Sequence, residues 1–196
     1  DSGGGGGYSF DNGKALAIFS GLLNALNVFD LGSLSQKEAA KFNDFIFDII
    51  SVPAGLNLLN NLNTCGETIV VSNEMPNNSE AAASYSPLTN ILKTGDLLSD
   101  TDFAIETGIN AIAHELFHAY QDFNGITSSP AKEVDAYLYT SLIQRQYGMS
   151  DKFYNEIVIT NSPNVSQASF YNAWSNFFKN GYSYSDYKNV YKYFIE

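Results

Sequence analysis

Ala113-His114-Glu115-Leu116-Phe117-His118-Ala119-Tyr120-Gln121 carries both histidines of a 196-residue chain. At about 100° per residue, helical winding sets His114 and His118 on one face, one turn apart, able to aim two imidazole nitrogens at one ion about 2.0 to 2.1 Å from each. Glu115 falls on the flank of that face. The same wheel gathers Ile105, Ile109, Ile112, Leu116 and Phe123 into an apolar stripe on the opposite side, with Thr107, Ala111 and Gln121 near the histidines. The histidine face is therefore not the core face. The pattern predicts a helix over 101–123, ended by Asn124-Gly125, that packs through one side and presents His-Glu-x-x-His on the other. With histidines and glutamates scattered at random, this pattern would arise about once in 2,000 chains.

Outward from that helix, Ser129 followed by Pro130 predicts the cap and first position of a second helix that runs to Tyr147 and stops at Gly148. Upstream, the β-branched run Thr68-Ile69-Val70-Val71 and the pair Ala83-Ser84-Tyr85-Ser86 and Asn90-Ile91-Leu92-Lys93, broken by Pro87-Leu88-Thr89, predict three short strands, the last two a hairpin. Nearer the start, Ala15, Phe19, Leu22 and Leu26 recur at helical spacing. Ser35 and Glu38 then form a capping box before Phe42, Phe45, Ile46, Ile49 and Ile50, with Pro53 read as the end of that helix. The chain after residue 150, through Trp174 and Tyr182 to Phe194, reads as mostly helical.

Ten Lys and Arg against twenty-one Asp and Glu give a net charge of −11. That sign repels phosphate backbones and anionic head groups, so nucleic-acid and membrane-surface partners are disfavoured. The richest apolar stretch, Ala15 to Phe29, is interrupted by Ser20, Gly21, Asn24 and Asn27, and no membrane insertion is expected. Cys65 is the only cysteine, which excludes an intrachain disulfide and a cysteine zinc cage. The Gly3 to Gly7 run predicts a flexible linker over 1–12, attached to an upstream region of a longer precursor. A charged fraction of only 16% suits an exported protein, secreted or held at the cell surface.

A catalytic zinc site takes three protein ligands and keeps one position for water. The third cannot be a histidine here, and Gln121 and Asn124 stand where the extended metzincin pattern needs glycine and histidine. An acidic residue or a tyrosine remains.

The chain resembles the gluzincin class of zinc metallopeptidases, and its 83–139 region is similar to bacterial secreted or toxin-type peptidase domains. The resemblance rests on His114-Glu115-Leu116-Phe117-His118 and on Glu133-Val134-Asp135-Ala136, which matches the E-x-x-A motif of the ligand helix. It implies a Zn²⁺ held by His114, His118 and Glu133, with Asp135 as the alternative third ligand. It also implies peptide hydrolysis by a zinc-activated water with Glu115 as general base.

The implied fold is α+β and zincin-like: one mostly helical domain over 13–196, with an N-terminal helical pair over 13–52 and a small sheet or hairpin layer over the metal helix. Many gluzincins carry Asp four residues after the ligand Glu; this chain has Tyr137, so another carboxylate or a backbone carbonyl is expected to orient a zinc histidine. The only arginine, Arg145, lies three turns past Glu133, about 18 Å along the axis. Tyr182, Tyr184 and Tyr187 are therefore the candidates for stabilising an oxyanion. The expected partner is a protein or peptide substrate. A second class consistent with these residues is a catalytically silent zincin-fold binding or adhesion module, and a third is deacylation or deamidation by the same water. Glu115 favours an enzyme, since a silent site has no chemical reason to keep it.

Overall fold

Ser35 and Glu38 form the expected capping box: the Ser35 hydroxyl accepts from the Glu38 N–H at 3.3 Å, and the Glu38 carboxylate accepts from the Ser35 N–H at 2.9 Å. These bonds satisfy two donors that a helix start leaves open. Helix α1, Gln36–Ile50, follows and buries Phe42, Phe45, Ile46, Ile49 and Ile50 along one stripe. The computed structural model describes residues 27–76, 81–99, 105–126, 129–149, 167–181 and 183–195. The linker and the helix expected near Ala15 to Leu26 lie outside these residues.

Pro53 opens a helix rather than closing one. Helix α2, Pro53–Cys65, has proline at its first turn, where the missing N–H has no intrahelical partner to lose, and ends on Gly66 at φ 73°. The two helices meet at 115°. Gly55 makes that corner feasible, because a β-carbon there would sit 1.8 Å from the Ile49 carbonyl oxygen.

The three predicted strands are present as β2 (Ile69–Ser72), β3 (Ser84–Ser86) and β4 (Ile91–Lys93), and a two-residue strand β1 (Phe29–Asp30) joins them. The order is β1-β2-β4-β3: β1 and β4 run parallel to β2, and β3 closes back on β4 as an antiparallel hairpin pairing Tyr85 with Leu92. Asn90 takes the positive φ of the hairpin turn, which its short amide tolerates. Ile69, Val71 and Leu92 are fully buried beneath the sheet, in one cluster with α1 and α2.

Helix α3, Ile105–Phe123, enters this core through Ile109, Ile112, Ala113, Leu116 and Ala119, all fully buried. Ile105 departs from the predicted stripe: at the first residue of the helix it is 58% exposed, beyond the packed surface. Gly108 lets the Phe45 ring lie directly on the α3 backbone, 2.2 Å from where a β-carbon would stand.

Helix α4, Ser129–Tyr147, returns antiparallel to α3, as the successive pairings of His114 with Tyr137, His118 with Glu133, and Gln121 with Lys132 require. Its far end is tied to the α1–α2 corner. Gln146 caps the Ala54 N–H at 2.8 Å, and the Tyr139 hydroxyl donates to the Ala54 carbonyl at 2.8 Å.

Helices α5 (Gln167–Lys179) and α6 (Tyr184–Ile195) form a last layer. They contribute Ala173, Trp174 and Val190 to a smaller cluster with Val134 and Leu138 of α4. The described residues thus form an α+β arrangement of six helices and one four-stranded sheet. None of these helices is by itself long and apolar enough to cross a membrane.

Candidate metal centre

His114 and His118 rise from one turn of α3, and Glu133 faces them from the first turns of α4. The buried Ala136, one turn along, allows that approach. The two Nε2 atoms are 3.0 Å apart, and the Glu133 carboxylate oxygens lie 3.4 Å from His114 Nε2 and 3.3 Å from His118 Nε2. Ligands about 2.05 Å from a tetrahedral zinc are roughly 3.3 Å from one another, so the spacing of these donors fits one such ion. Both histidines are largely buried, with side chains 14% exposed, whereas Glu133 is 52% exposed and leaves the cluster open to solvent on its side.

Gln121 fixes the proton on one imidazole. Its amide N–H donates to the Lys132 carbonyl at 3.0 Å, which turns its oxygen toward His118 Nδ1, 2.9 Å away. A carbonyl oxygen only accepts, so the neutral ring carries its proton on Nδ1 and turns the Nε2 lone pair toward His114 and Glu133. The orienting group is thus a side-chain amide, not the carboxylate or backbone carbonyl expected from sequence. Its signal was present in Gln121, one turn beyond His118 on the same helix.

His114 is oriented differently. Its Nδ1 is buried without a hydrogen-bond partner among the described residues, and the Tyr137 ring packs on the imidazole with centroids 4.5 Å apart. Tyr137 orients this ring by contact.

Two lone pairs and a carboxylate aimed at one point repel each other unless a proton or a cation lies between them. Burial opposes charge on His118, but the Glu133 carboxylate outweighs it and raises the imidazole pKa above its ordinary value. Burial likewise opposes the Glu133 carboxylate, and the two imidazoles overcome it, holding that carboxyl well below the usual range.

Glu115 stands on the flank, where its Oε2 accepts the Tyr85 N–H of strand β3 at 2.7 Å. Burial pushes its carboxyl pKa up, against the pull of both imidazoles.

Two of the remaining candidates, Asp135 and Tyr187, lie elsewhere. Asp135 stands about 200° around α4 from Glu133, and its carboxylate accepts the Tyr187 hydroxyl; burial pushes its carboxyl up against that bond. It does not join the cluster formed by His114, His118 and Glu133. Tyr187 is thereby committed to Asp135 and stacks on Tyr191. Tyr182 and the side chain of Tyr184 lie outside the described residues. Arg145 is spent on the Phe178 ring, 4.1 Å from its centroid. The tyrosine beside the cluster is Tyr137, where burial and the Glu133 and Glu115 carboxylates push the phenol up to about 12. Comparison with known protein families, curated proteins and solved structures finds no match to this chain.

Proposed function

We propose that this chain is a zinc-dependent metallopeptidase with a zincin-like fold, in which His114, His118 and Glu133 hold the metal and Glu115 is the general base. The observation that carries this reading is the triangle of donor atoms, 3.0 to 3.4 Å on each side, with a carboxylate on its flank. The hairpin of β3 and β4 against α3, joined through Tyr85 and Glu115, supports the fold assignment.

When bound, Zn²⁺ supplies a Lewis acid that polarises the scissile carbonyl and activates a water. The protein supplies proton transfer and orientation. Glu115, with Oε2 held by the Tyr85 amide, takes a proton from the attacking water and returns it to the departing amine. Its raised pKa brings it nearer the working pH, where a group that must both take and give a proton is most effective. Gln121 keeps the His118 proton on Nδ1 throughout. Tyr137, neutral up to about pH 12, is the hydroxyl donor to the developing oxyanion that this reading favours over Tyr187, whose hydroxyl bonds Asp135. The low charged fraction is the basis for export as part of the same proposal.

The test is elemental mass spectrometry on protein purified without a metal-affinity column, joined to hydrolysis of an unfolded protein substrate. The parent is expected to hold about one zinc per chain and Glu133→Ala to lose it. Glu115→Gln is expected to keep zinc and lose at least about a hundredfold in rate. Tyr137→Phe keeps the ring on His114 and is expected to lose about a hundredfold with zinc retained. A parent that takes up no zinc, or a fully active Glu115→Gln, overturns the proposal.

A further inference from the structure

On the side of α4 turned away from Glu133, the α5–α6 layer leaves an open cavity of about 230 Å³. That is below the usual size of a site for a whole small-molecule ligand, roughly 300 to 1,000 Å³, and suits a single side chain. Its walls include five aromatic rings, Phe117, Tyr139, Phe177, Phe178 and Tyr187, and one acidic residue, Asp135. Two leucines of α4 complete the apolar lining.

This composition selects a ligand. A carboxylate offers about four acceptor positions. Among the described residues its hydrogen-bond partner is the Tyr187 hydroxyl, and no lysine or arginine pairs with it. Arg145 is ten residues away, about 15 Å along the helix, and its guanidinium lies over the Phe178 ring. That contact shows a pocket ring already engaged with a cation. Aromatic walls beside a carboxylate that no lysine or arginine among the described residues pairs with favour an organic cation on an alkyl stem over a wholly apolar group. The net charge of −11 draws the same kind of ligand toward the molecule.

We propose that this pocket binds the basic side chain of a peptide, its alkyl stem against the rings and its ammonium or guanidinium group on Asp135. The site is separate from the metal cluster and stands whether or not the chain is a peptidase.

Isothermal titration with Nα-acetyl-lysine methylamide and Nα-acetyl-arginine methylamide tests it against Nα-acetyl-norleucine methylamide, which keeps the stem and lacks the charge. Saturable binding of both basic amides, at least about tenfold tighter than norleucine, is expected. Asp135→Asn is expected to weaken the basic amides about tenfold or more with zinc content unchanged, and Phe178→Leu by about threefold. Equal binding of norleucine, no saturable binding of the basic amides, or an unaffected, folded Asp135→Asn each overturns the proposal. The comparison of ligands on the parent protein decides the matter even where a variant fails to fold.

Discussion

Gln121 has two partners whose demands agree. Because Lys132 offers a carbonyl and His118 needs an acceptor, the amide can sit only one way round, and the histidine tautomer follows. Gln121→Leu keeps the bulk and removes both bonds; it should weaken zinc binding by about 10- to 100-fold in competition with a chelator, the range for loss of a group that orients a metal histidine. Unchanged affinity would mean that packing alone holds His118.

The ionisations of the cluster give a second expectation. In the metal-free chain Glu133, with its lowered pKa, contributes stability that is present above about pH 4.3 and is lost as pH falls through its folded value. His118, with its raised pKa, contributes stability that is complete below about pH 6.5 and is lost as pH rises through its folded value. Zinc needs His118 deprotonated, so the gap in melting temperature between zinc-loaded and chelator-treated protein should widen from pH 6 to pH 8. A gap that narrows would contradict the donor set. The approach of His114 to His118 was legible in sequence because it is a property of one helical turn. The seating of Tyr137 on His114, and of Tyr187 on Asp135, depends on how separate helices meet, which no local spacing records.

At the level of elements, the α1–α2 corner shows where local reading misleads. Pro53 reads locally as a stop but is the first residue of a new helix, and the asparagines at 57, 60, 61 and 63 obscure the apolar stripe of Leu58, Leu59 and Leu62 that buries α2. The hairpin could be read from its Pro87-Leu88-Thr89 break, whereas the pairing of β2 with β1 and with β4 joins segments far apart in sequence and has no local signature. Gly55 is the test of the corner. Ala is favoured over Gly by about 1 kcal/mol in a helix, yet the added β-carbon would meet the Ile49 carbonyl. Gly55→Ala should therefore lower stability by about 2 kcal/mol or more, read as a shift in the urea midpoint. A stabilised variant would show that the corner opens at little cost.

At the scale of the molecule, the described residues form two cores of unequal size. The larger joins the sheet to α1, α2, α3 and the end of α4; the smaller joins α4 to α5 and α6, and the sole tryptophan, Trp174, is buried in it at 2% exposure. A small cluster held through one shared helix is the part expected to open first. Trp174 fluorescence should change at lower urea than far-ultraviolet circular dichroism, and α5 and α6 amides should exchange hydrogen faster than those of α3. Coincident transitions would mean that the two cores unfold as one.

The three proposed ligands and the base lie between positions 114 and 133, on one helical hairpin. Closing so short a loop costs little entropy, and helical hairpins form quickly. A ribosome would deliver this donor set before it had made Trp174. Metal capture is then within reach of the growing chain, as a nucleus around which the later helices assemble, rather than a loading step reserved for the finished protein.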